Sequence, residues 1–441
     1  MNALVAILAA LAVAQAVPGG TAAAPPTLSG MPQVVAMSLP EALAEIDRQN
    51  PTLEEARARA AAALGVVRQA AAPLLPTLQA AGGYFHNNAE AVFLRPTTPT
   101  SFEKVYIQPL DAWYGGGALR VPLVVPDAWF SLSASREAAL AAAGASDATR
   151  LTVRMALLQT AWAAWAGDEI VAASERAVAN AQAQAESARR QVKVGTAAPL
   201  TVLQAETAAT RRESDLVQAR SERSRARIAV GVLLGRPEPV LIAMPPLPGP
   251  SAYDVADLSR QALDTRPELR AQAAVVRSYE KQASAALWRM APQISASGSG
   301  TAQSVPYPTG DRQGWRVSVD LTWTLYDGGF RYGKADQASA QASEARAAET
   351  GTRLQILQEV QNSARDVEVA RQRLTLAQQE KDTASEAAAS ARRGFGEGLT
   401  SSLDVLSANE MLFYSEVQVA SAGARLGGSV AALDRAVGRS P

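Results

Sequence analysis

Side chains able to do chemistry are few in this sequence. Cysteine is absent and His86 is the single histidine, which excludes disulfides, cysteine nucleophiles and metal sites built from thiolates or histidines. Asp and Glu are plentiful, but they occur along helix-forming segments at the spacing of solvent-exposed ion pairs. Acidic and basic residues balance at 42 each, so charge gives no reason to expect a nucleic-acid partner. We therefore predict a protein that is not an enzyme and that holds no metal and no cofactor.

The N-terminal segment predicts export. Residues 1–16 are apolar and end in Ala14-Gln15-Ala16, the small-x-small form of a signal-peptidase site. We interpret them as a secretory signal peptide, with an apolar N-terminal helix as the alternative. No Lys or Arg precedes the apolar core, so the sequence leaves the translation start and the cleavage site open.

One segment alternates strictly between apolar and polar residues, as a β-strand with two different faces does. Its apolar positions are Trp315, Val317, Val319, Leu321, Trp323 and Leu325. A soluble sheet would explain the alternation, but aromatic residues at both ends of the apolar face also suit a strand between lipid and water. We predict Trp315 and Trp323, with Trp113 on a similar strand, as lipid-interface aromatics, with burial in a soluble sheet as the alternative.

The sequence contains an internal repeat, with two halves of similar plan. Asn50-Pro51 aligns with Arg266-Pro267, VPDAWF from Val125 aligns with LYDGGF from Leu325, and the segment 189–206 aligns with 392–409. Each copy predicts a helix, two strands, a long helix and a return helix. The predicted divisions are an N-terminal linker (17–38), a first repeat (39–242), a Pro-rich linker (243–252), a second repeat (253–438) and a tail (439–441).

The long helices are the most unusual elements. About 65 residues run without proline from 130 to 194 and from 330 to 395, which as helix would span roughly 95 to 100 Å. The strand-to-helix transitions are predicted at Asp127 and at Asp327-Gly328-Gly329, where glycine permits the change of backbone direction. Pro122 in the second strand predicts an edge or a bulge.

The last helix has a seven-residue register, with large residues at Val405, Leu412, Val419, Leu426 and Leu433 and small ones three positions later. Such alternation favours a helix packed between neighbours in a curved wall over a simple two-stranded coiled coil. Trp162 and Trp165 are predicted as packing residues of the same wall. At the corresponding places in the first repeat, Arg212 and Arg223 blur the pattern.

Four strands with one lipid-facing side cannot close a barrel, so the chain must oligomerise. The predicted fold is a mixed α/β membrane protein of two structural repeats. Four strands per chain would reach twelve in a trimer, and the long helices that continue from the strands would form a helical tube.

A family likeness rests on three features of the sequence: the duplicated plan, the strand end LYDGGF, and the turn GFGEGLTSSLDVLSANE (Gly394 to Glu410) with its weaker copy VGTAAPLTVLQAE. From about residue 39 to 438 the chain resembles the TolC-type outer-membrane efflux family. The resemblance implies a homotrimeric, passive exit duct of a tripartite efflux system in the outer membrane of a Gram-negative type envelope, with a large periplasmic portion. It implies that the four strands per chain complete a trimeric 12-stranded outer-membrane β-barrel, continuous with a long coiled-coil α-helical periplasmic barrel. Its implied partners are outer-membrane lipid, a periplasmic adaptor (membrane fusion) protein and an inner-membrane pump.

The resemblance also assigns roles at the periplasmic tip. Asp404 falls on the aspartate of the family motif, where three copies would form a negative ring that favours cations. Ser407 falls on a second acidic position, and Phe395 and Thr400 fall on closed-state latch positions without the hydroxyl and the charge of the family. The alternative for Asp404 is a first-turn carboxylate favoured by the helix dipole.

The glycine turns of the tip are the predicted contacts of the adaptor, with ordinary helix ends as the alternative. The candidate contact residues are Gly195, Gly398, Leu200 and Leu403. Two rival functions stay open: an exit channel for type I protein secretion, and a soluble periplasmic coiled-coil scaffold, which would leave the alternating strands unexplained. Cargo, the identity of the adaptor and pump, and the resting state of the entrance are not determined by this sequence.

Overall fold

The computed structural model describes residues 34–249, 253–307 and 309–439, so the predicted signal peptide lies outside the described residues. The helices are α1 (Leu39–Gln49), α2 (Pro51–Ala71), α3 (Pro126–Lys193), α4 (Pro199–Leu233), α5 (Val255–Thr265), α6 (Pro267–Trp288), α7 (Phe330–Gly396) and α8 (Ser402–Val437). The strands are β1 (Val35–Ser38), β2 (Thr77–His86), β3 (Ala91–Thr98), β4 (Ser101–Gln108), β5 (Asp111–Val124), β6 (Val240–Ala243), β7 (Gln293–Gln303) and β8 (Gln313–Thr322). Among the described residues, no helix combines the length and the apolarity needed to cross a bilayer.

A single antiparallel sheet in the order β2-β5-β7-β8 contains the four predicted strands. The register places Leu78, Leu119, Gly298 and Val317 in one row across the sheet, and therefore on one face. The apolar side chains of β8 on that face are widely exposed, from 64% at Leu321 to 83% at Trp315. The bulge expected near Pro122 is observed as a register shift between Pro122 and Val124.

Four further strands were not predicted. β3 and β4 form an antiparallel hairpin between the two predicted strands of the first repeat, and β1 pairs in parallel with β6. The hairpin lacks a clean alternation of apolar and polar residues, and the β1–β6 pair has only four residues per strand. The prediction of two strands per repeat therefore describes the main sheet but not the whole chain.

The long helices begin where the sheet ends. α3 has 68 residues and α7 has 67, so each spans about 100 Å. Gly328 and Gly329 take positive φ angles of 70° and 89° before α7, whereas α3 begins directly at Pro126. Asp127 accepts a hydrogen bond from Gln293 Nε2 at 3.2 Å, and Asp327 accepts one from Arg331 Nε at 2.7 Å.

The helices lie side by side in two layers, and the long helices α3 and α7 belong to both. One layer runs α2-α3-α6-α7, which is the order of the strands that these helices adjoin in the chain. The other layer runs α4-α3-α8-α7. In each layer, as in the sheet, an element of the first half of the chain lies at one edge and an element of the second half lies at the other. The described part of the chain therefore forms a wall with the same two open edges along its length.

Tryptophans against glycines hold the middle of this wall. Trp162 is 5% exposed on α3, and a Cβ added to Gly427 of α8 would lie 2.2 Å from its ring. Trp165 packs in the same way against Gly423, where a Cβ would lie 3.0 Å from the ring. This confirms the predicted packing role of both tryptophans. On α8 the predicted seam residues Val405, Leu426 and Leu433 are buried.

The two halves are anchored by equivalent joints. Asn50 donates from Nδ2 to the carbonyl oxygen of Leu233 at 2.7 Å, and Arg266 donates from Nη1 to that of Ala436 at 3.2 Å. Each of these residues precedes a proline that starts a helix, and each satisfies a carbonyl at the end of a return helix. These matched contacts support the proposed division of the chain into two repeats.

The second joint also contains a buried ion cluster. Arg266 is 2% exposed and contacts Glu268 at 2.8 Å and Glu359 at 2.6 Å, and Arg435 contacts both carboxylates. Burial is the largest single influence on Glu268 and opposes its ionisation. The hydrogen bonds that Glu268 accepts and the positive charges of Arg266 and Arg435 together outweigh burial and hold the pKa of Glu268 below its ordinary value. The cluster ties α6, α7 and α8 together at one level of the wall.

We expect Gly427→Ala to destabilise the folded protein by about 1–3 kcal/mol, because the added methyl group would overlap the Trp162 ring. Gly428→Ala is the matched control, since a Cβ there would meet Gln159 Cγ at an ordinary 3.7 Å. Alanine in a helix interior is favoured over glycine by roughly 0.5–1 kcal/mol, so the control should be neutral or slightly stabilising. Thermal unfolding in detergent measures both, and equal Tm values would contradict tight packing at Gly427.

Candidate functional site

The first tip turn joins α3 to α4. The Gly195 N–H donates to the Val192 carbonyl at 3.0 Å and the Thr196 N–H donates to the Gln191 carbonyl at 2.9 Å. These two bonds, with Gly195 at a φ of 79°, are the Schellman arrangement that ends a helix. Pro199 then starts α4, where its missing N–H costs nothing.

The second tip turn, between α7 and α8, has the same arrangement. Gly398 has a φ of 77°, its N–H donates to the Phe395 carbonyl at 3.2 Å, and the Leu399 N–H donates to the Gly394 carbonyl at 2.8 Å. Thr400 closes the turn, because its hydroxyl donates to the Ala391 carbonyl at 3.0 Å. Its methyl carbon packs against Gly394, where an added Cβ would lie only 2.9 Å from that carbon. Phe395 and Thr400 thus both lie in the body of the turn.

Asp404 lies in the first turn of α8 and forms a capping box with Ser401. Its Oδ2 accepts hydrogen bonds from the Ser401 hydroxyl at 2.7 Å and the Ser401 N–H at 2.9 Å, and the Asp404 N–H donates to Ser401 Oγ at 3.2 Å. The Ser401 hydrogen bonds hold the pKa of Asp404 below its ordinary value of 3.8. The carboxylate is exposed, so it presents a negative charge at the tip at neutral pH. α4 has no side-chain cap at its N-terminus.

Apolar side chains are exposed around both turns. Leu200 is 61% exposed and Leu403 is 64% exposed, each in the first turn of its return helix. Gln184 of α3 donates from Nε2 to the Ser402 hydroxyl at 3.4 Å, which brings the two helical hairpins together just above the turns. The tip therefore combines two glycine turns, the acidic residues Glu397 and Asp404, and exposed leucines.

A groove of about 940 Å³ lies between α4 and α8, next to the tip. Leu200, Leu403 and Ser407 line it, so three predicted site residues share one surface. Asn409 also lines the groove, and its Oδ1 is buried without a hydrogen-bond partner among the described residues. A bound segment with a donor at this position would satisfy that oxygen.

Arg212 is a buried charged residue of the groove, at a position where the sequence pattern predicts only an interruption of the apolar seam. It is 9% exposed, and its guanidinium lies 4.7 Å from the centre of the Phe413 ring. It also contacts Asp215 at 2.9 Å and Glu410 at 3.2 Å. Arg212 therefore links α4 to α8. The sequence contains one signal for this contact: Arg212 occupies an apolar register position of α4, and the aromatic residues Phe413 and Tyr414 occur in α8 of the other repeat.

The predicted interface aromatics lie at the two ends of the sheet. Trp113 and Trp315 lie near the starts of β5 and β8, and Trp323 follows the end of β8, where its Nε1 donates to the Met290 carbonyl at 3.1 Å. All three are more than half exposed. His86 ends β2 and contacts Asp111 at 2.8 Å, far from the tip turns.

Comparison with models of known protein families identifies the family of this chain. Residues 42–236 and 258–439 match the model of the family described as outer membrane efflux protein. No match was found among curated protein sequences.

Solved structures share the fold over most of the chain. The outer-membrane channel OprN is 20% identical with a TM-score of 0.74, covering 91% of this chain and 89% of OprN. The outer membrane protein VceC of Vibrio cholerae is 20% identical with a TM-score of 0.75, covering 91% of this chain and 96% of VceC. The CmeC outer membrane channel of Campylobacter jejuni is 16% identical with a TM-score of 0.76, covering 91% and 85%. At these identities the likeness shows the fold alone.

We expect Gly398→Ala to loosen the second tip turn, because an alanine at a φ of 77° costs about 1–2 kcal/mol even where there is open space around it. Gly396→Ala is the matched control, since it also has open space but ends α7 without a positive φ. Hydrogen exchange over residues 390–404 should accelerate in Gly398→Ala and not in Gly396→Ala. Unchanged exchange in both variants would show that the turn is not held by the glycine conformation.

Proposed function

Because the chain belongs to the outer membrane efflux protein family, we propose that three copies form the passive exit duct of a tripartite efflux system. The protein is an outer-membrane protein with the fold of outer-membrane channels and a large helical periplasmic part. The observation that carries the proposal is the matching pair of open edges, which the sheet and both helical layers leave on the same two sides.

The sheet edges explain why several copies are needed. Among residues 34–249, 253–307 and 309–439, β2 and β8 each have one side without a hydrogen-bonded neighbour. In lipid every backbone group must be paired. Pairing β8 of one copy with β2 of the next closes the sheet. Two copies would give about eight strands, whose interior is filled by side chains, whereas three give about twelve and leave a lumen. The helical edges α4 and α7 would meet along the same line.

The two faces of the sheet support this orientation. The apolar face, with Val317 and Val319, would contact lipid, and the polar face, with the serines of β7, would line the lumen. We propose that Trp113 and Trp315 lie at the outer lipid boundary and that Trp323 lies at the inner one.

The helical tip is the proposed contact with the periplasmic adaptor, which links the duct to an inner-membrane pump. The turns at Gly195 and Gly398 and the exposed Leu200 and Leu403 offer an apolar surface, and the neighbouring groove offers paired charges. An apolar centre with a polar rim is the usual composition of a protein interface. The pump would supply the energy, and the duct would remain passive.

We further propose that Asp404 forms a negative ring at the entrance, near Phe395, Thr400 and Ser407. Three carboxylates around one axis would favour cations. The capping box fixes the position of each carboxylate, and the hydrogen bonds from Ser401 keep it ionised.

The direct test of the duct is the mass of the detergent-purified protein together with its conductance in planar bilayers. We expect a trimer that conducts ions. A monomer without membrane current would overturn the proposal.

The pH dependence of ion selectivity tests the ring. The folded-state pKa of Asp404 is lowered, so we expect the cation preference to persist as pH falls to about 3.8 and to be lost below it. Asp404→Asn should abolish this preference at neutral pH. Ser401→Ala removes the hydroxyl hydrogen bond, the larger of the two Ser401 bonds that lower the pKa of Asp404, and keeps the backbone N–H bond, so its loss of preference should occur at higher pH than in the wild type. A titration that is unaffected by either substitution would exclude Asp404 from the entrance.

A further inference from the structure

Three charged side chains lie within the polar face of the four-stranded sheet. Arg120 on β5 is opposite Ser297 on β7, and Ser297 is opposite Ser318 on β8. Arg120 and these two serines therefore share one face. Arg316 and Asp320 lie two residues to either side of Ser318 and therefore on the same face. Arg120, Arg316 and Asp320 thus lie together on the polar face.

The two arginines differ from the aspartate in having no partner. Asp320 accepts a hydrogen bond from the Ser318 hydroxyl at 2.9 Å. Within the described part of the chain, neither Arg120 nor Arg316 has an ion pair or a side-chain hydrogen bond, and both are exposed. Their guanidinium groups are free to meet solutes.

The neighbouring copy would not supply an acidic partner from its sheet. In the proposed trimer, β2 of the next copy lies beside β8, and β2 reads TLQAAGGYFH, without Asp or Glu. Arg316 would therefore remain unpaired after the sheet closes.

The surrounding side chains on this face are short. Arg120 shares its row with Thr77, Ser297 and Ser318, and Arg316 shares the adjacent row with Gln79, Ala118 and Ser299. Arginine is the longest side chain in both rows, so the guanidinium groups reach furthest from the strands. Adjacent rows on one face are about 7 Å apart along a strand, so the arginines form one narrow band.

We propose that Arg120 and Arg316 form a cationic band in the lumen of the barrel that favours anionic solutes. This inference rests on the proposed trimeric duct, in which the band holds six guanidinium groups. Rings of arginine favour anions in channels, as rings of carboxylates favour cations. The duct would then carry two determinants of opposite sign in series, Asp404 at the tip and the arginine band in the barrel. Anionic or amphipathic acidic cargo would be attracted at the barrel stage.

The test is the reversal potential of the full-length protein in planar bilayers across a KCl gradient. We expect the Arg120→Gln, Arg316→Gln double variant to raise the K⁺/Cl⁻ permeability ratio roughly two- to fivefold at about 10 mM salt, where the Debye length is about 30 Å. At about 1 M salt, where it is about 3 Å, the difference should vanish.

Two control variants give the sign and the specificity. Asp320→Asn removes the opposite charge from the same face and should lower the permeability ratio. Arg120→Lys with Arg316→Lys keeps both charges and should behave like the wild type. The mass of each variant in detergent shows whether it still assembles.

The outcomes separate the two proposals. A conducting double variant with an unchanged reversal potential at low salt, while Asp404→Asn still shifts it, would overturn the band alone. A wild-type protein that neither assembles nor conducts would overturn the duct, and the band with it. A rise in the permeability ratio in the double Gln variant that is absent from the double Lys variant and disappears at high salt would establish the band.

Discussion

Backbone hydrogen bonding at the two edges of one sheet is the constraint on which the rest of the structure depends. A sheet with an apolar outer face cannot leave β2 and β8 unpaired in lipid, and it is too narrow to close on itself. Each of the helices α3 and α7 continues from a strand of this sheet, so the order of the strands is transmitted to the helical wall. One requirement for closure therefore applies along the length of the molecule.

Duplication lets different residues perform one task. Asn50 and Arg266 both hold the carbonyl end of a return helix, one with an amide and the other with a guanidinium group. Arg266 brings a positive charge into the buried second joint. This burial is favourable only because the carboxylates of Glu268 and Glu359 pair with the guanidinium group. The second joint is consequently ionic and the first is neutral. The same divergence separates the tip turns, because only the second return helix has a capping box.

Charge is distributed unevenly along the proposed path. At the tip, Asp404 is exposed, and its hydrogen bonds to Ser401 lower its pKa. In the groove between α4 and α8, Arg212 is buried against Phe413 and paired with acids, so it contributes cohesion between the two halves rather than free charge. In the sheet, Arg120 and Arg316 are exposed and unpaired among the described residues. The surroundings of each charge, more than its type, decide what it can do.

Local rules let the sequence by itself determine the main strands, the long helices and the glycine turns. Alternation identifies β8, the absence of proline identifies α3 and α7, and Gly195 and Gly398 end those helices through a backbone conformation that glycine adopts freely. Only the tertiary structure decided the groove, the joints and the rows of the sheet. Arg212 and Phe413 are about 200 residues apart, and so are Arg120 and Arg316. Such neighbours are set by the packing of one repeat against the other, which no short-range pattern encodes.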